Sequence, residues 1–555
     1  MSLPRRDRLA SAGCQYSRRP VLRAIERAPG LRRGSALPPG AAVAAVACLQ
    51  IVLHWVLLAR GTELIVSALT IDDTYYYLGT AWNLKRLGFP SFDGIHPTNG
   101  VQFLWFWILA GLAWLLPTKT AFLQAALAVG AVANAGCHGV IWRFARALGE
   151  PRLALWMSGL WLLQSLGSVA YSRGLENSVH ALVFWVLVWQ GTAFLAEVRE
   201  GRRPRLGILT VVLVLNAWSR VDAGLLSLLV YAFCVAAAWK AAAPVPERRT
   251  LAGAIAATGG AAAAACALQL AVFRWMGGSW LPVSALVKGG LEVERWSEVV
   301  FRAARLGLPS VIPPLGAAAL AALYWLLFVR RADAPAASGG RDAATGPLRA
   351  WNRLWLVLLL GLVVHALVVR GGSYWYLAPS HVFWCATLGL LAHRVTAWLG
   401  AGRLRALAGV AGPGFLVCAV ALTGWQVASR WQTEPNFYAL RARVGRWIGE
   451  NLPPDAILAS WNAGQLGYFA DRPVVNLDGL ANSAEYYRTV LSGEVPLEDY
   501  LAAEGVDFIV DRSDGSALMT VFGGEVLDRY PVVRRFRLRE DEPRVLLWQV
   551  VPPEG

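Results

Sequence analysis

A succession of apolar runs close to twenty residues long constrains this chain more than any other feature. The first is Ala41–Ala59, and further runs recur through to Leu407–Ser429. A hydrocarbon core about 30 Å thick is crossed by about 20 helical residues. Lipid offers the backbone no hydrogen-bond partner, so runs of this kind fold as helices. Composition agrees: 56% of the 555 residues are hydrophobic and only 16% are charged. The mean hydropathy is +0.44. The sequence therefore predicts a mostly α protein, a polytopic membrane helix bundle.

Charge sets the expected topology. The net charge of +16 is unevenly placed. Residues 1–40 carry nine arginines against Asp7 and Glu26, whereas residues 430–555 carry 13 arginines against 19 acids. Basic residues concentrated in one set of loops follow the positive-inside pattern and do not form a nucleic-acid-binding stripe. The Arg/Pro/Gly-rich segment 1–40 is expected to be a disordered cytoplasmic tail that meets membrane lipids. The run Val101–Leu116 is short for a span. If it crossed, Arg143, Arg146 and Arg152 would lie outside. If it lies in the interface, they fall inside, together with Arg199–Arg205, Lys240–Arg249, Arg330–Arg349 and Arg403–Arg405. We therefore expect an in-plane or re-entrant helix within a first external loop, residues 60–119.

The remaining spans are expected at Thr120–Trp142, Leu153–Tyr171, Val179–Ala196, Leu206–Trp218, Ala223–Trp239, Leu251–Phe273, Leu308–Val329, Leu354–Val369, His381–Leu399 and Leu407–Ser429, about eleven with the first. Residues 41–429 then form a membrane domain, with a flexible cytoplasmic linker at Ala332–Gly346. From Arg430 the pattern changes. Asn436–Glu450 reads as an amphipathic helix, and short apolar runs at Ala456–Ser460, Val474–Leu477, Phe508–Val510 and Val545–Val550 read as strands. Residues 430–555 are expected to be an extracytoplasmic α/β domain. The seven cysteines show no CxxC pair and mostly fall in apolar runs, so no disulfide framework or structural zinc is expected. No small-residue cleavage site follows the first apolar run, so a cleaved signal peptide is not expected.

The residues that can carry chemistry cluster at the expected external ends. Asp72 and Asp73 precede the helical stretch Tyr75–Leu87. One carboxylate suits a helix cap, and a neighbouring pair suits a general base with a companion. The loop that follows carries His96 and Asn99. Glu176, in SRGLENS, lies four residues before His180, a spacing that makes the two weak candidates for metal ligands. Arg220 and Asp222, in SRVDAG, can pair with each other or hold a phosphate or hydroxyl. Lys288 is one of four lysines beside 48 arginines, and its compact ammonium suits a phosphate. Arg370, Tyr374 and Tyr376, in RGGSYWYLAP, suit either an aromatic belt or a sugar and phosphate platform. SWNAGQLGYFADRPVVNLDGLAN, in the C-terminal region, is dense in Gly, Asn and Asp, which suit either turns alone or a sugar- or acceptor-binding edge of that domain.

IDDTYYYLGTAWNLKRLGFPSFDGIHPTNGVQFLW resembles the first external loop of polyprenyl-phosphate-sugar-dependent glycosyltransferases of the GT-C superfamily. Gly174-Leu175-Glu176 resembles a Gly-Met-Glu motif of that family. SRVDAG resembles an Arg-Pro-Asp/Glu-Gly motif, with Val221 and Ala223 replacing the proline and glycine. SWLPVSALVK resembles a Leu-Pro-Asn-Thr…Lys motif, with Val283 and Ser284 at the Asn and Thr positions. The likeness extends to arabinofuranosyltransferases and to lipopolysaccharide- or protein-glycosylating enzymes. It implies an inverting transfer from a polyprenyl-phosphate sugar donor to a glycan, lipid or protein acceptor of the cell envelope, at a bacterial-type inner membrane. In it Asp72 is the base, Asp73 supports it, and Lys288 and Arg220 neutralise the leaving phosphate. It does not require a divalent cation, and it does not exclude one. The rival readings are a flippase of lipid-linked glycans, which calls for charges in mid-span and repeated halves, and a non-catalytic membrane scaffold.

Overall fold

The computed structural model describes residues 37–550 apart from 168–172, 243–244, 291–313, 330–341, 369–373, 401–404, 432–434, 514–515, 524–525 and 538–544. Among the described residues eight helices are long and apolar enough to cross a membrane. They are α1 (Pro39–Leu58), α4 (Lys119–Ala147), α6 (Asn177–Arg199), α8 (Ala223–Ala241), α9 (Val245–Gly277), α12 (Asp342–Val368), α13 (Ala378–Leu399) and α14 (Arg405–Trp431). The other three expected spans are shorter apolar helices: α5 (Leu153–Gly167), α7 (Leu206–Ser219) and α11 (Pro314–Tyr324). At 1.5 Å per residue, the 14 residues of α7 rise about 21 Å, short of a hydrocarbon core. Residues 168–171 and 308–313 of the expected spans, and 332–341 of the expected linker, lie outside the described residues.

Between α1 and α4, after a short turn of helix at Thr62–Leu64 and a π-helical turn at Ile65–Leu69, lie two longer helices. α2 (Asp72–Leu87) opens with two acids and ends with Lys85 and Arg86, the arrangement its dipole favours. Gly88 closes it in the left-handed conformation (φ 83°) and donates its N–H to the Leu84 carbonyl. α3 (Phe103–Leu115) is the 13-residue apolar helix expected at Val101–Leu116. α10 (Val283–Gly290) follows α9 and carries Lys288.

The C-terminal region opens with α15 (Phe437–Asn451), capped by the Asn436 side chain, which accepts the Tyr438 N–H. A five-stranded sheet of order β2-β1-β3-β5-β4 follows. Its strands are β1 (Leu458–Ser460), β2 (Val474–Asn476), β3 (Phe508–Arg512), β4 (Val532–Phe536) and β5 (Val545–Gln549). β1 pairs in parallel with β2 and β3, and β5 lies antiparallel between β3 and β4. β4 was not anticipated. It is an exposed edge whose apolar run is broken by Arg534 and Arg535 and whose register slips between Val532 and Arg534, devices that blunt an edge.

Residues Pro39–Gly555 pack as one unit. The composition change at residue 430 is therefore not a break in packing. Tyr76 and Phe92 of the first loop share a buried cluster with Leu440, Leu458, Leu466 and Val474.

Candidate active site

The site is assembled from the connections between helices. Asn99 fixes two of them. Its amide nitrogen reaches the carbonyls of Phe273 (3.0 Å), Ser279 (2.9 Å) and Leu281 (3.1 Å), and its oxygen accepts the Val283 N–H (2.8 Å). One buried side chain thus ties the first loop to the turn after α9 and sets where α10 begins.

α10 then brings Lys288 to α2. The Lys288 ammonium lies 3.9 Å from the Asp73 carboxylate, and both side chains remain about a quarter exposed (25% and 27%). They line a cavity of about 420 Å³ with Tyr77, Gln102, Glu176, Arg220, Asp222 and Tyr376, a size in the range of small-molecule sites. Burial in this cleft pushes the Asp73 carboxyl above the usual carboxylate range. The Lys288 charge opposes that shift, and the Asp72 and Glu176 charges reinforce it. Burial alone would lower Lys288, but the ionised Tyr376 oxygen and the Asp73 carboxylate outweigh it and hold the ammonium above its ordinary range.

Behind this pair is a buried ionic row. Glu176 precedes α6, after a turn in which Gly174 takes φ 73°. Its carboxylate pairs with Arg220 and accepts the Tyr77 hydroxyl at 3.0 Å. Arg220, at the end of α7, also donates to Asp222 through Nε (2.9 Å) and Nη2 (3.1 Å) and stacks over the Tyr376 ring at 4.4 Å. His365 of α12 completes the row, with Nε2 3.0 Å from Asp222. Removing one member of such a buried pair leaves an uncompensated charge and costs about 3–5 kcal/mol. The row holds the guanidinium in one orientation against the cavity.

Asp73, Glu176, Arg220, Asp222, Lys288 and Tyr376 thus line one cavity. Asp72 is not with them. It is 7% exposed, and its oxygens accept the N–H groups of Gly464 (3.0 Å) and Gln465 (2.9 Å), with Arg441 at 3.5 Å. Neighbouring helical residues point about 100° apart, so an Asp pair at one helix start divides between two faces. His96 also stands apart, between Asp93 (2.8 Å) and Glu504 (3.1 Å). Asn99 shapes the loops without lining the cavity. Arg370 lies outside the described residues, and Tyr374 opens a short 3₁₀ turn, Tyr374–Leu377. His180 is buried against Phe184 (ring centroids 6.4 Å), while the Glu176 carboxylate is committed to Arg220 and Tyr77. Among the described residues no three His, Cys, Asp or Glu side chains group to hold a metal ion. Of the three carboxylates that line the cavity, Glu176 and Asp222 share Arg220, and Asp73 lies 3.9 Å from Lys288.

Sequence reasoning missed Tyr77, Gln102 and His365, whereas Leu480 lies in the turn-rich run Ser460–Asn482 that it singled out. Tyr77 had a signal, since it lies one helical turn after Asp73 on the same face. Gln102 accepts the Val221 N–H at 3.2 Å and, like His365, carries no local pattern that marks it.

Comparison with solved structures decides the fold. ArnT from Cupriavidus metallidurans in the apo state superposes with a TM-score of 0.54 at 14% identity, over 91% of this chain and 97% of that one. The same protein bound to undecaprenyl phosphate gives 0.51, again at 14% identity and with the same coverage. This chain has the GT-C fold. With its apolar helices, the fold makes it a multi-pass membrane protein. Residues 426–548 match a family described as a domain of unknown function, DUF8728. No curated protein matches the chain.

Proposed function

We propose that this GT-C protein is a glycosyltransferase that moves a sugar from a polyprenyl-phosphate donor to a glycan, lipid or protein acceptor. In the topology drawn from charge, it acts on the extracytoplasmic face of a bacterial-type inner membrane. The observation that carries the proposal is the pairing of Asp73 with Lys288 in a cavity of a fold shared with ArnT, which has been crystallised with undecaprenyl phosphate.

The base is assigned to Asp73 in place of Asp72, because Asp73 is the member of the pair that faces the cavity. The acceptor oxygen attacks C1 of the sugar while Asp73 takes its proton. The bond from C1 to the phosphate oxygen breaks, and its electron pair leaves on that oxygen. Lys288 neutralises the departing charge, and the fixed Arg220 adds positive potential from behind. A single displacement of this kind inverts C1. The raised Asp73 carboxyl is suited to the base role, since a proton acceptor works best when its pKa lies nearer the working pH. An intramembrane carrier fits this site because a polyprenyl tail can remain in the bilayer while its phosphate enters from the side.

Mass analysis of cell-envelope glycans tests the proposal. Cells lacking the protein, and cells carrying only Asp73→Asn, are expected to lose the same sugar-sized mass from one envelope component. Unchanged glycan masses in both strains would contradict the assignment.

A further inference from the structure

One face of α2 lines the cavity. The face beside it is docked on the C-terminal domain. The docking starts at Asp72, whose carboxylate accepts the backbone N–H groups of Gly464 and Gln465 at the start of α16 (Gly464–Ala470). Gly464 permits the approach, because a Cβ there would come within 2.2 Å of the Asp72 carbonyl oxygen. One turn on, Tyr75 packs against the rings of Tyr468 (5.2 Å) and Phe469 (5.4 Å). Tyr76 donates to Asp478 at 2.8 Å, and its oxygen accepts from Ala463 N–H (3.1 Å) and the Asn476 amide (2.9 Å). The turn that follows β2 reaches the cavity itself. Leu480 lines it, and the Leu480 carbonyl lies so close to Gly100 that a Cβ at Gly100 would stand 1.9 Å from it. Thr98 donates to the Asn482 carbonyl at 2.8 Å in the same turn.

We propose that the C-terminal domain is part of the active site, with Asp72 the positioning residue through which α16 holds Asp73 against Lys288, and Leu480 a wall of the cavity. The proposal rests on the glycosyltransferase reading for its activity readout. It assigns the matched domain of unknown function a task, which is to set the rotation of α2. Asp72 and Asp73 are adjacent on a rigid helix, so a slip at Asp72 is carried straight to Asp73. Misplacement of a reacting group by about 1 Å can cost about 100-fold in rate.

A positioning carboxylate and a base differ in what they tolerate. Asparagine at 72 keeps one of the two acceptor oxygens that face Gly464 and Gln465, so it retains part of the docking contact, whereas asparagine at 73 cannot take a proton. Purified full-length Asp72→Asn, Asp72→Ala, Gly464→Ala and Asp73→Asn, reconstituted in vesicles, are assayed with undecaprenyl-phosphate-linked monosaccharides for release of undecaprenyl phosphate. Asp72→Asn is expected to keep at least about a tenth of the wild-type kcat with an unshifted pH profile. Asp72→Ala and Gly464→Ala are expected to lose about 10- to 100-fold in kcat, with the donor KM within about twofold. A loss in Asp72→Asn as deep as in Asp73→Asn would overturn the proposal, as would wild-type kcat in Asp72→Ala. Backbone hydrogen exchange reads the same coupling without turnover. In Asp72→Ala, exchange is expected to rise together in residues 72–80 and 463–470, and a rise confined to one segment contradicts the coupling. If wild-type protein releases no undecaprenyl phosphate, the glycosyltransferase reading fails, and the exchange result alone decides whether the coupling stands.

Discussion

At the scale of single residues, the site depends on which of two adjacent aspartates faces the cavity. Asp73 does, 3.9 Å from Lys288. Lys288→Met is expected to lower kcat/KM by about 100- to 1000-fold, in line with the removal of one preorganised partner of a developing oxyanion. Lys288→Arg is expected to recover part of that loss, and steady-state rates with an undecaprenyl-phosphate sugar check both. Tyr77→Phe removes the hydrogen bond to Glu176 and the longer one accepted from Gln102 N–H (3.3 Å), and leaves the Glu176–Arg220 pair intact. It is expected to cost about 1 kcal/mol of stability or less than tenfold in rate, read from thermal unfolding and the same assay. The sequence announced the aspartate pair but not which of the two faces the cavity. The partners of Asp72 are two backbone N–H groups 392 and 393 residues away, which no local pattern reports. His365 was hidden in the same way, since its partner Asp222 lies 143 residues earlier.

At the scale of elements, the contact between the first loop and the C-terminal domain is built on groups whose charge depends on pH. Burial pushes the Asp478 carboxyl up to about 7, against the lowering effect of its hydrogen bonds from Leu480 N–H and Tyr76. Between the ordinary carboxylate value of about 3.9 and about 7, the folded state binds more protons than the unfolded one. Asp478 therefore withdraws stability as pH rises through that window. His96 has its pKa raised to about 9, because Asp93 and Glu504 outweigh its burial. Its contribution is complete below about 6.5, the ordinary histidine value, and is lost as pH rises through about 9. Both groups act in one direction, so the melting temperature of the detergent-solubilised protein is expected to fall from pH 5 to pH 9. Asp478→Asn should flatten the lower part of the curve and His96→Gln the upper part. A curve that neither variant changes would show that the two groups do not hold this contact. Most elements were legible from hydropathy, and α15 lies within a residue of its expected bounds. The edge strand β4 was not, because tertiary packing decides whether a run broken by arginines joins a sheet.

At the scale of the whole molecule, two regions of opposite composition fold as one. Hydropathy separates residues 41–429 from the rest, yet α2 is buried against both. The C-terminal sheet carries α16 and the turn after β2, the pieces that touch the first loop. A chain that ends before residue 430 would expose Tyr75, Tyr76 and Phe92, which are each below 5% exposed in the folded protein. Such a chain is expected to be recovered in membranes at reduced levels and without transfer activity, as checked by immunoblot and donor turnover. The fold class was legible because lipid permits so few backbone solutions. The joining of the two regions was not, because it depends on contacts between segments hundreds of residues apart.

The central claim is that Asp73 is the base of a transfer from a lipid-phosphate sugar. Its most direct test is the rate at which purified wild-type protein and Asp73→Asn release undecaprenyl phosphate from an undecaprenyl-phosphate-linked sugar in vesicles, with the anomeric configuration of the product recorded. Release by the wild type with inversion at C1, and a loss of about 100- to 10,000-fold in Asp73→Asn, is the expected result. Full release by Asp73→Asn, or retention of configuration at C1, would contradict it.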